Sequence, residues 1–169
     1  MPDKKLLILN KTQIQQKIDR MAYQIWEDNF DEKELVIAGI VGGGYILAQR
    51  TAKVLENISP IKVILVKISL DKSNEHLPVQ TDLPVEQCSN KVVIMVDDVL
   101  NSGRTFSSGM RVFLGIPIKK LRTMVMIDRS HRIFPVTTDF RGLEMATVLK
   151  EHVDVILDQK GEKDAVYLR

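Results

Sequence analysis

VVIMVDDVLNSGRTF, residues 92–106, runs five apolar residues directly into two adjacent aspartates. A short loop follows that holds Ser102, Gly103, Arg104 and Thr105. An unbroken apolar run of this length, bounded by polar residues, reads as a strand buried on both faces. Asp97 and Asp98 then fall at its carboxyl end, where open α/β sheets bind their ligands. The loop supplies two hydroxyls, a glycine that lets backbone approach a ligand, and an arginine, all where a helix begins. Free N–H groups at a helix start form an anion site, and phosphate is the usual guest. Carboxylates beside a phosphate cradle suit a sugar phosphate: the acids take ribose hydroxyls or Mg²⁺, and the loop takes the phosphate. The bland alternative is an acid pair that only caps the following turn.

Working outward, ELVIAGIV (34–41) is a second apolar strand that meets Gly42, Gly43 and Gly44 and then YILAQRTAKVLE, a strand, glycine turn and helix. The patterns GxxxxGK[ST] and GxGxxG are both absent, so the triplet alone is no more than a tight turn. Ile14, Ile18, Met21, Ala22, Ile25 and Trp26 share one helical face in 10–29, with Asn10 or Thr12 as cap. IKVILVKISL (61–70) and KLRTMVMID (120–128) are further strands, and VDVIL (153–157) and AVYLR (165–169) two short ones. Thr105 to Gly115 is a helix expected to turn Phe106, Met110, Phe113 and Leu114 inward. Residues 71–90 read as a long mobile loop or a weak hairpin. Strands alternating with helices predict an α/β protein with an open, mostly parallel sheet flanked by helices.

The length, 169 residues, fits one domain, and 44% apolar with 27% charged residues is ordinary for a soluble globular chain. A net charge of +2 tolerates a polyanionic partner without announcing one. Cys88 is the single cysteine, so no internal disulfide forms, and three histidines argue against a structural zinc site. The run LLIL at 6–9 is too short for a signal-peptide core, and nothing approaches a membrane span. These features place the chain in the cytoplasm.

The stretch 92–106 resembles the phosphoribosyl-diphosphate (PRPP) signature of the type I phosphoribosyltransferases. The likeness runs nearly the full chain, and MIDRSHRIFPVTTDF (126–140) narrows it to the pyrimidine branch of that family. The resemblance implies the type I phosphoribosyltransferase fold over 1–169, with a small hood from about 1–10 and 129–152. Asp97 and Asp98 would bind the ribose hydroxyls and reach Mg²⁺ indirectly or through PRPP. Asn101, Ser102, Gly103, Arg104 and Thr105 would hold the 5-phosphate. Val41, Gly42, Gly43 and Gly44 would form the pyrophosphate loop, with Lys72 closing over it. Phe140 would stack on the base, and the backbone of Arg141 would read its edge. The implied partners are PRPP and a nucleobase, with uracil first, in a homo-oligomer of two or more copies.

Asn101 bears on the base. Purine-salvage members carry an aspartate there to receive the purine N7 proton, and a carboxamide cannot act as a base. The branch generally carries Thr-Arg where this chain has Gly42-Gly43, and Tyr-Arg-Asp-Asp where this chain reads SLDKSN. Two groups that would meet pyrophosphate are thereby missing or altered, which bears on the rate of turnover. The same branch binds messenger RNA, so a regulatory RNA-binding role competes with catalysis. It would need Lys11, Lys17, Arg20, Arg132 and Arg141 to converge on one face. Arg129, His131 and Arg132 are read either as anion ligands or as a solvated loop cluster. His76 reads as a bystander.

Overall fold

The computed structural model describes residues 4–169. Six strands form one sheet: β2 (Glu34–Ile40), β3 (Lys62–Leu70), β4 (Val79–Thr81), β5 (Val92–Leu100), β6 (Lys120–Asp128) and β7 (Phe140–Glu144). Their order is β4-β3-β2-β5-β6-β7, parallel throughout except for β4, which pairs antiparallel with β3. The chain runs from β2 outward to β3, and from β5 outward through β6 to β7. The order therefore reverses between β2 and β5, and the crevice beyond their carboxyl ends is a topological switch point.

Both faces of the sheet are covered, which is why its central strands read as continuous apolar runs. Leu35, Ile37, Ile94 and Val96 point to one face, where α1 (Lys11–Asp28) and α2 (Gly43–Ile58) bury Ile14, Ile18, Leu47 and Leu55 against them. Val36, Ala38, Val93 and Met95 point to the other face, where α3 (Arg104–Leu114) buries Phe106 and Phe113. Asn10 caps α1 in a reciprocal capping box with Gln13, at 2.9 Å in each direction. Leu114, expected inward, is 69% exposed, because it lies in the last turn of α3 where the chain leaves for β6.

Of the two expectations for 71–90, the hairpin forms: β4 pairs with the end of β3, and a 3-10 turn at Val85–Cys88 follows. A second, three-stranded sheet in the order β1-β9-β8 joins β1 (Leu6–Leu9), β9 (Ala165–Leu168) and β8 (Val153–Ile156). Of the expected hood segments, β1 lies in this small sheet, whereas β7, within 129–152, joins the main sheet instead. The small sheet takes its remaining strands from beyond residue 152. Leu9, Leu157 and Val166 add its inner side to the α1–α2 core.

A buried ion pair locks the β8–β9 connection to the helices. Arg50 of α2, only 8% exposed, donates to Asp164 at 2.6 Å, to Gln15 of α1 at 2.7 Å and to the Asp158 carbonyl at 3.3 Å. Removing one partner of such a pair strands a desolvated charge. Asp164→Ala is therefore expected to lower stability by about 3 kcal/mol, read as a shift in the urea midpoint with an unchanged slope.

Candidate active site

The site grows from the switch point. β2 ends at Ile40, and Val41 is fixed by its N–H donating to the Ile68 carbonyl at 2.8 Å. Gly42 caps α2 with φ +100°, a conformation that L side chains rarely adopt. Gly44 has no room for a side chain, because its Cβ would lie 2.8 Å from the Val96 carbonyl and 2.9 Å from Asp97 Cα. A Cβ on Gly43 would press on the Asp98 carboxylate, with Cγ at 3.0 Å. The glycine turn and the aspartate pair, more than fifty residues apart in sequence, are thus one surface. The N–H groups in the first turn of α2 carry the positive end of that helix and border two carboxylates.

The pair lies within β5, which runs two residues past Asp98, to Leu100. Asp97 accepts from the Asp98 N–H at 2.8 Å, and Asp98 accepts from the Val99 N–H at 2.8 Å. Burial pushes the Asp97 carboxyl well above its usual range, and the neighbouring Asp98 charge and hydrogen bond push the same way. The Asp98 N–H and the Lys72 ammonium pull in the opposite direction without prevailing.

Next comes the loop of residues 101–105. Gly103, at φ +87°, is the residue before α3, and Ser102 Oγ accepts from the Arg104 N–H at 3.2 Å. Asp97, Val99, Asn101, Ser102, Gly103, Arg104 and Thr105 line one small cleft at the start of α3. The expected phosphate loop and Asp97 of the acid pair therefore share one concavity, which Asp98 does not line. The Arg104 side chain leaves it, donating to the Glu75 carbonyl at 3.1 Å.

The cationic cluster after β6 serves the scaffold. Arg132 donates to both oxygens of Asp128, at 2.7 and 2.8 Å, to the Val136 carbonyl at 2.6 Å and to the Asn101 carbonyl at 3.3 Å. Asp128 also accepts from Thr138 Oγ1 at 2.8 Å and from the Ser130 N–H at 3.1 Å. Burial works against the Asp128 charge, but Arg132, Thr138 and Ser130 outweigh it and hold the carboxyl below its ordinary range. This hub drapes 129–138 over the 101–105 loop: the Ile133 and Phe134 N–H groups both donate to the Ser102 carbonyl at 2.9 Å. Arg129 and His131 both bond Thr147, and Arg129 also reaches the Glu151 carbonyl at 2.6 Å. Asp128 went unnoticed in the sequence. Its signal was the same as for Asp97, an acid at the end of an apolar strand.

Phe140 does not occupy the expected base-facing position. It begins β7 opposite Met124, 6% exposed in the core, while the ligand end of β7 is at Glu144 opposite Asp128. Four residues of strand, about 13 Å, separate the two ends. Arg141 pairs with Glu144 at 3.1 Å, and its carbonyl accepts from Arg20 at 2.9 Å. Of the five cations proposed for RNA, Arg132 and Arg141 are thus paired with acids and Arg20 with backbone carbonyls, at Arg141 and Gly142.

A family model described as the phosphoribosyl transferase domain matches residues 7–160. Bifunctional protein PyrR of Microcystis aeruginosa is 33% identical over 170 residues, covering 95% of both chains. Its Brevibacillus brevis counterpart is 33% identical over 175 residues, covering 98% of this chain and 97% of its own. The chain belongs to the type I phosphoribosyltransferases, in their PyrR group. Solved hypoxanthine and hypoxanthine-guanine phosphoribosyltransferases share the fold. The Trypanosoma cruzi enzyme superposes with TM-score 0.77 at 18% identity, over 97% of this chain and 91% of its own. The Bacillus anthracis enzyme gives 0.71 at 24%, over 82% and 81%. The phosphoribosyltransferase sheet thus carries the reversed strand order that brings turn and acids together. Among the described residues no helix is long and apolar enough to cross a membrane.

Asp97→Asn tests the strained acid directly. A carboxyl whose folded pKa is raised gives stability that is complete below its unfolded pKa, near 3.8, and lost as pH rises toward the folded value. The amide variant is expected to melt higher than the parent at pH 7, with the gap closing toward pH 4. Thermal melts across that range check the sign.

Proposed function

We propose that this phosphoribosyltransferase joins ribose 5-phosphate from PRPP to uracil, giving UMP and pyrophosphate. The observation that carries the transfer reading is the contact of Gly43 and Gly44 with Asp98 and Asp97, beside the start of α3. Two helix starts bordering one pair of carboxylates suit a ribose with phosphates at both ends.

Breaking the bond between ribose C1 and pyrophosphate builds positive charge on the ribose and negative charge on the departing phosphates. Asp97 and Asp98 hold the ribose hydroxyls and face the developing cation. The loop 101–105 anchors the 5-phosphate through its N–H groups and the hydroxyls of Ser102 and Thr105. The first turn of α2 receives pyrophosphate oxygens on backbone N–H groups. No covalent nucleophile takes part. Among the described residues no cluster of three or more His, Cys, Asp or Glu stands ready to hold a metal alone. Two crowded carboxylates do fit Mg²⁺ arriving with PRPP, since Mg²⁺ takes few protein ligands and completes its shell with phosphate and water oxygens. When bound, the ion supplies charge neutralisation on the pyrophosphate.

Uracil rests on Asn101. Its place in the loop between the acids and the phosphate cradle suits a base contact, and its carboxamide cannot take the purine N7 proton. A PRPP-dependent assay across uracil, guanine, hypoxanthine, xanthine and adenine tests this. Uracil is expected to lead by tenfold or more in kcat/KM, about 1.4 kcal/mol at the transition state. Guanine or hypoxanthine ahead by tenfold would reverse the assignment.

The glycine turn has its own consequence. An arginine at position 43 cannot be restored without displacing Asp98, so this turn works without a side-chain cation. Gly43→Ala is expected to raise KM for PRPP about tenfold, roughly 1.4 kcal/mol, by moving Asp98. Steady-state kinetics beside a melt separate that from unfolding.

A further inference from the structure

Most cations near the ligand end of the sheet are spoken for by the protein itself. Arg132 is paired with Asp128, Arg104 donates to the Glu75 carbonyl at 3.1 Å, and Arg111 of α3 donates to the His76 and Leu77 carbonyls at 2.9 and 2.6 Å. Lys67 of β3 is different. It is half-buried, and among the described residues no carboxylate forms an ion pair with its ammonium. A sheltered charge without a counter-charge is unfavourable. Asp82, the acid beside it, is turned to the main chain: its carboxylate accepts from the Lys67 N–H at 2.7 Å, and its own N–H donates to the Lys67 carbonyl at 3.1 Å. The backbone of Lys67 is thereby fixed while its ammonium is left over.

That side chain lies against the start of α2. Val63 and Leu65, which share its face of β3 by the two-residue period, pack on the α1–α2 core. Lys67 is the register partner of Gly39 in β2. Gly39 in turn lies directly under the helix start, where a Cβ would be 2.6 Å from Tyr45 Cα and 2.9 Å from the Gly44 carbonyl. The Lys67 ammonium stands 4.8 Å from the centroid of the Tyr45 ring. Tyr45 follows Gly43 and Gly44 in the first turn of α2. The next residue on the same face of β3, Ser69, is small and exposed, so the strand puts no bulk between Lys67 and the ligand end. A ring face attracts the cation but offers no oxygen, which leaves N–H donors of the ammonium for a ligand.

We propose that Lys67 is the side-chain cation of the pyrophosphate subsite, reaching from β3 to the first turn of α2 with the Tyr45 ring as its seat. This rests on the transfer reading above and names a residue for it. Gly43 and Gly44 press on the aspartates and leave no room for a cation in the turn itself. The neighbouring strand supplies the charge instead, one that the fold has sheltered and left without an acid. Bound pyrophosphate oxygens would then meet backbone N–H groups of α2 on one side and the Lys67 ammonium on the other.

The test uses the full chain with Lys67→Met, which keeps an unbranched apolar stem and removes the charge, and Lys67→Arg, which keeps the charge. Melting temperatures of both are expected within about 2 °C of the parent. Calorimetry with magnesium pyrophosphate should show affinity falling about five- to tenfold in Lys67→Met and recovering in part in Lys67→Arg. KM for PRPP should rise in step. Affinity for UMP, which carries the 5-phosphate and lacks pyrophosphate, should stay at the parent's value, a split that a merely structural lysine would not produce. Tyr45→Leu gives an independent route: it should cost two- to threefold in the parent, roughly the reach of a partly exposed cation–π contact, and nothing further in Lys67→Met. Unchanged pyrophosphate affinity in Lys67→Met, an equal loss for UMP, or equal Tyr45→Leu losses in both backgrounds would overturn the proposal and leave the transfer reading standing. A parent that binds no pyrophosphate and transfers no base from PRPP would overturn both, and the parent's own assays show which has failed.

Discussion

Helix α2 begins in contact with the backbone of β5, and that contact governs the site. The hydrogen on Gly44 that a Cβ would replace faces Val96 and Asp97 main-chain atoms at under 3 Å from the added carbon. Only glycine allows this approach, because any side chain would push the helix start away from the strand end. With the two in contact, the α2 N–H groups and the two carboxylates form one surface at the point where the strand order reverses. The cost is chemical: a turn made of glycines has no side chain with which to meet a departing polyanion.

A second consequence is electrostatic. Placing Asp97 beside Asp98 in a buried strand makes the ligand-free site unfavourable, and the raised Asp97 carboxyl records that. Ribose hydroxyls, a divalent cation or a nearby ammonium each relieve it, so the stability withheld from the free protein returns on binding. Asp128, an acid at the equivalent end of β6, is the counterexample. It is equally tied to the backbone but meets Arg132 face to face, and its carboxyl is lowered. Two aspartates with the same sequence context differ because one has a guanidinium and the other has a second carboxylate. The first is a scaffold hub, and the second is the acid proposed to meet the ribose.

The scaffold role of the cations explains how the loop after β6 stays in place. It has no strand of its own between Asp128 and Phe140, yet it covers the 101–105 loop closely enough that a Cβ on Gly103 would lie 3.3 Å from the Phe134 carbonyl. Arg132, Arg129 and His131 hold it by hydrogen bonds to carboxylate, hydroxyl and carbonyl groups. Charged side chains so engaged are poor candidates for binding a phosphate backbone, because each would first have to leave a partner.

The amino-acid order alone was enough for whatever is contiguous. The apolar run of β5, the acids at its end, the donor-rich loop and the start of α3 are neighbours in sequence, so their joint chemistry could be read directly. The same holds for the capping and apolar face of α1. Tertiary structure decided what depends on partners far along the chain. Phe140 fell at the core end of β7 because its register against β6 is set by long-range pairing. β1 found its place only through β9, some 160 residues away. Arg111 faces Leu77 and Arg132 faces Asp128 because helix packing and loop path put them there, and residue type could not say whether those guanidiniums would meet a ligand or the protein itself. A sequence fixes local chemistry through bonded neighbours; which charges remain free for function is decided by the contacts that folding closes.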